Sequence, residues 1–155
     1  MLEHNKGKKG MRLSEKVALL LMSHGDFARE LMRSLEFVIG KQENYETLGV
    51  HLDDQIDDLR EQMYAKVNSL DTEKGLVVFT DIVGGTPMNL AGHLLDRENI
   101  LVCSGMNLPM LLECSFHRDK PVEELESLLR AAYETGMVMR TSGDLAKEDE
   151  DDLLL

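Results

Sequence analysis

Three apolar runs in the sequence each end on residues that can do chemistry. "ALLLM" runs into Ser23, His24, Gly25 and Asp26. "GLVVFT" runs into Asp81, with Gly84, Gly85 and Thr86 just beyond, and "ILVCS" runs into Gly105, Met106, Asn107 and Pro109. An imidazole between a buried strand and a helix start is placed to handle phosphate. A helix N-terminus carries N–H groups without intrahelical partners and a partial positive charge, which favours an anion by about 0.3–1 kcal/mol in exposed geometry. The same field favours the neutral, nucleophilic imidazole. Asp81 can accept a hydrogen bond from one ring nitrogen and leave the other free to attack, and Thr86 can donate to a phosphoryl oxygen. Turn and cap chemistry alone also explains Gly84, Thr86 and Pro87, and Asp81 can equally be a helix-capping carboxylate. What favours a site is the convergence of all these residues with His24.

The elements needed to position them are legible. Lys16–Met22 is a continuous apolar run of strand length, as in a sheet covered on both faces. Asp26 stands at an N-cap position, Phe27, Leu31, Leu35 and Val38 recur at helical spacing, and Gly40 is a stop signal. Tyr45–Leu52 reads as a second strand. A helix from Asp53 or Asp54 follows, with its stripe on Ile56, Leu59, Met63, Val67 and Leu70. Gly75–Asp81 is a third strand, and Thr86 as N-cap opens a short helix from Pro87 to about Leu95. Ile100–Ser104 is a fourth strand, Pro121 to Gly136 a longer helix, and "MVMRTS" a short final strand. Strands alternating with amphipathic helices predict a single-domain α/β fold with an open, mainly parallel sheet sandwiched by helices. In such a sheet, ligands bind beyond the carboxyl ends of the strands, where all three candidate loops lie.

Other chemistries lack their residues. There is no G-x-x-x-x-G-K-[ST], no G-x-G-x-x-G, and no acidic pair after the first strand. His24, Asp26 and Asp81 are too scattered to predict a metal site, and no cofactor is expected. His4, His51, His93 and His117 read as solvated or core-edge residues. Cys103 and Cys114 lie in apolar stretches without zinc-ligand spacing and are expected to be reduced thiols. The 155 residues carry a net charge of −12, which disfavours nucleic acid and anionic membrane. The basic cluster Lys6, Lys8, Lys9, Arg12 and Lys16 falls in an unpatterned N-terminus, so residues 1–15 read as a flexible extension and 144–155 as an acidic flexible tail. With no span-length apolar run and no signal-peptide pattern, a cytoplasmic protein without membrane insertion is expected.

"LLLMSHGDFARELMRSLEFVIGKQENYETLGV", "VVFTDIVGGTPMNLA" and "LVCSGMNLPMLLE" together resemble the mannose-family enzyme IIA of the bacterial phosphotransferase system, over a domain of residues 16–143. The resemblance implies a phosphohistidine carrier, a phosphotransferase component without a cofactor. Its phosphorylated histidine matches His24, the orienting aspartate Asp81, and the hydroxyl of the "GG-S/T-P" segment Thr86. Ser23, Gly25, Gly84, Gly85, Met106, Asn107 and Pro109 fall in the loops expected to meet the phosphoryl group or partners. The implied partners are the histidine-containing phosphocarrier protein, a IIB component and a second copy of the chain, joined by an exchanged antiparallel C-terminal strand. Related domains also serve as regulatory modules read out through their phosphorylation state, which is the alternative to sugar transport.

Overall fold

The computed structural model describes residues 15–145 and 147; the basic cluster other than Lys16, and most of the acidic tail, lie outside them. Among the described residues, four strands form one parallel sheet in the order β2-β1-β3-β4: β1 Ala18–His24, β2 Tyr45–Val50, β3 Leu76–Thr80 and β4 Ile100–Ser104. The helices are α1 Phe27–Ile39, α2 Ile56–Ser69, α3 Thr86–Gly92, α4 Leu108–Phe116 and α5 Val122–Gly136.

Alternation along β1 builds both halves of the core. Leu19 and Leu21 pack with Val77 and Phe79 against α1, α4 and α5, whereas Ala18, Leu20 and Met22 pack with Val78 against α2 and α3. Each of the three leucines is fully buried, which stabilises the fold by about 1.5–3 kcal/mol per side chain relative to exposure. A strand covered on both faces has no polar positions, so it reads as an unbroken apolar run.

The chain runs from β1 outward to β2, then returns across β1 to β3. The order of strands therefore reverses between β1 and β3, and the carboxyl ends at that reversal carry His24 and Asp81.

Several boundaries differ from the sequence reading. β1 extends to His24, and α2 starts at Ile56, after the acidic loop. The buried stripe of α1 is Ala28, Leu31, Met32 and Leu35, so Phe27 and Val38 face solvent. Leu108–Phe116, whose apolar sequence predicts no particular element, is α4, capped by Asn107 Oδ1 accepting from the Met110 N–H at 3.0 Å. Residues 137–141 form no strand in this single chain; Met137, Val138 and Met139 are exposed.

Opposite the candidate site, Arg118 closes the other end of the sheet. Arg118 is 1% exposed, and its guanidinium donates to the carbonyls of Val17, Glu43 and Asn44 at 2.9, 2.8 and 2.8 Å. Asn44, at φ 53°, adds side-chain bonds to the Lys16 and Asp71 carbonyls.

Candidate functional site

His24 is the last residue of β1, and its side chain is 49% exposed. Its neighbour Asp81, 12% exposed, holds it twice: Asp81 Oδ2 accepts from the His24 backbone N–H at 2.8 Å and lies 2.8 Å from ring Nδ1. The other carboxylate oxygen, Oδ1, accepts from the Ile82 N–H at 2.9 Å. Burial pushes the Asp81 carboxyl upward, but these N–H contacts from His24 and Ile82 outweigh it and hold the group below the ordinary carboxylate range. Asp81 is thus an ionised acceptor at neutral pH. A carboxylate can only accept, so Nδ1 carries the hydrogen and Nε2 of the neutral ring carries the lone pair.

That lone pair faces bare backbone. A Cβ at Gly85 would stand 3.1 Å from Cε1 and 3.2 Å from Nε2 of His24. Gly85 also has φ +84°, a conformation that side chains rarely adopt. Both requirements select glycine, and together they keep Nε2 accessible. Gly85 occupies the N-cap of α3, so Thr86 is the first helical residue instead of the cap, with no side-chain cap bond from it. Thr86 follows Gly85 directly and is half-buried.

Ser23 and Met106 act on the loops from beneath. Ser23 is fully buried; its hydroxyl accepts from the Ala28 N–H at 2.8 Å and donates to the Gly25 carbonyl at 3.3 Å. It thus supplies the side-chain cap of α1 that Asp26, at the N-cap position, does not make. Met106 is buried, and its N–H donates to the Thr80 carbonyl at 3.0 Å, tying the loop after β4 to the end of β3. Asn107 caps α4, and Pro109 packs against Gly136, where a Cβ would come within 2.7 Å of the proline ring. Gly84 turns the chain with φ +77°. Cys114 is buried and Cys103 half-buried, both free. Burial pushes both thiols up, Cys114 to about 12.

The sequence reading missed Gly49. A glycine inside a strand marks a close backbone approach, and here a Cβ would collide with the Gly25 carbonyl oxygen.

Residues 18–132 match the sequence model of one protein family, described as "PTS system fructose IIA component". The chain belongs to that family. This PTS IIA chain is 33% identical over 121 residues to the mannose-specific EIIAB component of Escherichia coli K12, matching 77% of its own length and 37% of the relative's. It therefore spans well under half of that longer protein. The PTS IIA protein associated with the fucose utilization operon of Streptococcus pneumoniae superposes with TM-score 0.75 at 25% identity, covering 86% of this chain and 99% of that one. The EIIA component of Streptococcus agalactiae superposes with TM-score 0.71 at 27% identity, covering 79% and 96%. No helix among the described residues is long and apolar enough to cross a membrane.

Proposed function

We propose that this PTS IIA chain is a phosphohistidine carrier in sugar uptake. It takes a phosphoryl group from the histidine-containing phosphocarrier protein onto His24 and passes it to a IIB component. The observation that carries the reading is the 2.8 Å contact of Nδ1 with Asp81, which leaves Nε2 facing the Gly85 gap. The Nε2 lone pair attacks the donor phosphorus and an N–P bond forms. The donor's own N–P bond breaks, and its electron pair returns to the donor ring. Positive charge that develops on the His24 ring is stabilised by the Asp81 carboxylate. Thr86 donates to a phosphoryl oxygen. The acceptor protein then repeats the displacement in reverse roles. Family membership supports the same reading.

Two proteins must reach one histidine in turn, and the surroundings of His24 suit protein contact. Phe27, Leu52, Ile82 and Val83 are exposed apolar side chains on the loops and helix start at this sheet edge. Asp26 precedes Phe27, and Asp53, Asp54, Asp57 and Asp58 follow Leu52 closely in the chain. A partner with an apolar centre and a basic border fits.

The reading is tested by incubating the chain with phosphoenolpyruvate, enzyme I and the phosphocarrier. One phosphoryl group per chain is expected, lost in acid and retained in alkali, as for a phosphoramidate. No uptake, or an alkali-labile acyl phosphate, would refute it.

The proposed assembly is a homodimer with exchanged C-terminal strands. β4 is an open sheet edge, and a groove of about 570 Å³ runs beside it, lined by Leu101, Val102, Cys103, Leu129 and Tyr133. An antiparallel strand from the exposed Met137–Met139 segment of a second copy would pair that edge and fill the groove. Truncation after Glu134 is expected to shift the protein toward monomer on light scattering. A full-length chain that stays monomeric at high concentration would contradict the exchange.

A further inference from the structure

The end of β2 meets the turn after His24 without clearance. Gly49 pairs with Ser23 in the ladder, and the Gly25 N–H donates to the Val50 carbonyl at 2.8 Å. The next residue, His51, folds its ring back over Gly49, with Cε1 only 3.2 Å from where a Cβ at Gly49 would lie. There Nε2 of His51 stands 3.2 Å from Asp26 Oδ1, and Nδ1 stands 3.6 Å from Asp54 Oδ2. The His51 backbone N–H donates to that same Asp54 oxygen at 2.7 Å. The second oxygen of Asp26 pairs with Arg29 at 3.2 Å. Carboxylates only accept, and a neutral imidazole has one N–H. The 3.2 Å hydrogen bond to Asp26 needs a hydrogen on Nε2, which one neutral tautomer also supplies; only the imidazolium adds charge attraction to both Asp26 and Asp54.

We propose that His51 is a positioning residue for phosphoryl transfer at His24. As the imidazolium it ties Asp26 to the end of β2 and so fixes the Gly25–Asp26 turn that follows the reacting histidine. This rests on the carrier reading above. In the neutral ring the charge attraction to Asp26 and Asp54 is lost and at most the Nε2 hydrogen bond remains, so the hold on the turn weakens. The charged groups facing His51 are Asp26 and Arg29 from the start of α1 and Asp54 from the β2–α2 loop, with the His24–Asp81 pair on the far side of Gly25. His51 is 57% and Asp26 55% exposed, so solvent damps the interaction and the effect is graded.

Two readouts on the full chain test this between about pH 5.5 and 8, where imidazoles titrate. One is the pH dependence of the Gly25 and Asp26 amide resonances. The other is the initial rate of phosphoryl acceptance from the phosphorylated phosphocarrier. His51→Asn is expected to remove one titration step from those amides. It should slow acceptance by about two- to fivefold at the acidic end, the scale of an exposed ion pair, and converge with the wild type at the alkaline end. Asp26→Asn should reproduce the pattern. Variant rate profiles parallel to the wild type, or amides that keep every titration step, would overturn the proposal. If the wild-type chain accepts no phosphate, the carrier reading fails, while the amide titration still decides whether the clamp exists.

Discussion

Asp81→Asn is expected to slow phosphoryl transfer through His24 on the order of 10²- to 10³-fold while leaving the chain folded. The reason is the hydrogen-bond pattern around the carboxylate. Oδ2 accepts from the His24 backbone and faces Nδ1, and Oδ1 accepts from Ile82. An amide has one oxygen and one NH₂, so either orientation sets a donor against a donor. If the NH₂ faces His24, the ring reverses its tautomer and Nε2 loses its lone pair. If the oxygen faces His24, the Ile82 N–H is left opposed, and the charge that stabilises the developing imidazolium is gone in both cases. The folding cost is one strained contact at a half-open site, about 1–2 kcal/mol. The sign of the pH effect follows from the depressed Asp81 carboxyl. Its contribution to wild-type stability is complete above the ordinary carboxylate range and is lost as pH falls through its lower folded value. Asp81→Asn removes that loss, so its acid unfolding should be correspondingly less steep. Rapid-quench measurement of acceptance, with urea unfolding alongside, checks both halves. A transfer rate within about twofold of the wild type would reduce Asp81 to a structural residue.

Arg118→Met is expected to destabilise the fold by about 3–5 kcal/mol, a large share of the roughly 5–15 kcal/mol that holds a domain together. Methionine matches the length of the stem and removes every donor. The buried Val17 carbonyl and the part-buried Glu43 carbonyl then lose the bonds that Arg118 gives them, and the Asn44 carbonyl keeps only the Leu19 N–H. The melting temperature should fall by roughly 10 °C. Arg118→Lys should fall between, because an ammonium lacks the planar fork that reaches three acceptors. Because Arg118 lies at the opposite end of the sheet from His24, the folded fraction of either variant should accept phosphate normally. An unchanged urea midpoint for Arg118→Met would show that the three carbonyls find other partners.

The site was more legible in the sequence than its supports. His24 and Asp81 could be brought together because "ALLLM" and "LVVFT" read as buried strands, and consecutive parallel strands put their carboxyl ends at one edge. Leu31 and Leu35 of the expected α1 stripe are buried, but its ends are not: Phe27 and Val38 are apolar yet exposed, and the smaller Ala28 and the flexible Met32 take the buried positions. Helix α4 was obscured by its apolar composition, which suits a strand or a buried helix equally. Asn107 followed by Pro109 was the local signal for its start. Gly49 offered a recognisable hint. Arg118 offered none, since a guanidinium satisfied by main-chain carbonyls leaves no pattern of side chains to read. The role of Ser23 was hidden for a similar reason: its hydroxyl serves backbone groups two and five residues away.

The most direct test of the central claim is the position of the phosphoryl group on the imidazole. The chain is prepared with isotope-labelled histidine nitrogens, phosphorylated by the phosphocarrier, and examined for coupling between nitrogen and phosphorus. Asp81 at 2.8 Å occupies Nδ1, and Gly85 leaves Nε2 open. Coupling to Nε2 of His24, and its loss in His24→Ala, is the predicted result. Phosphorus coupled to Nδ1, or to any other histidine of the chain, would contradict the account.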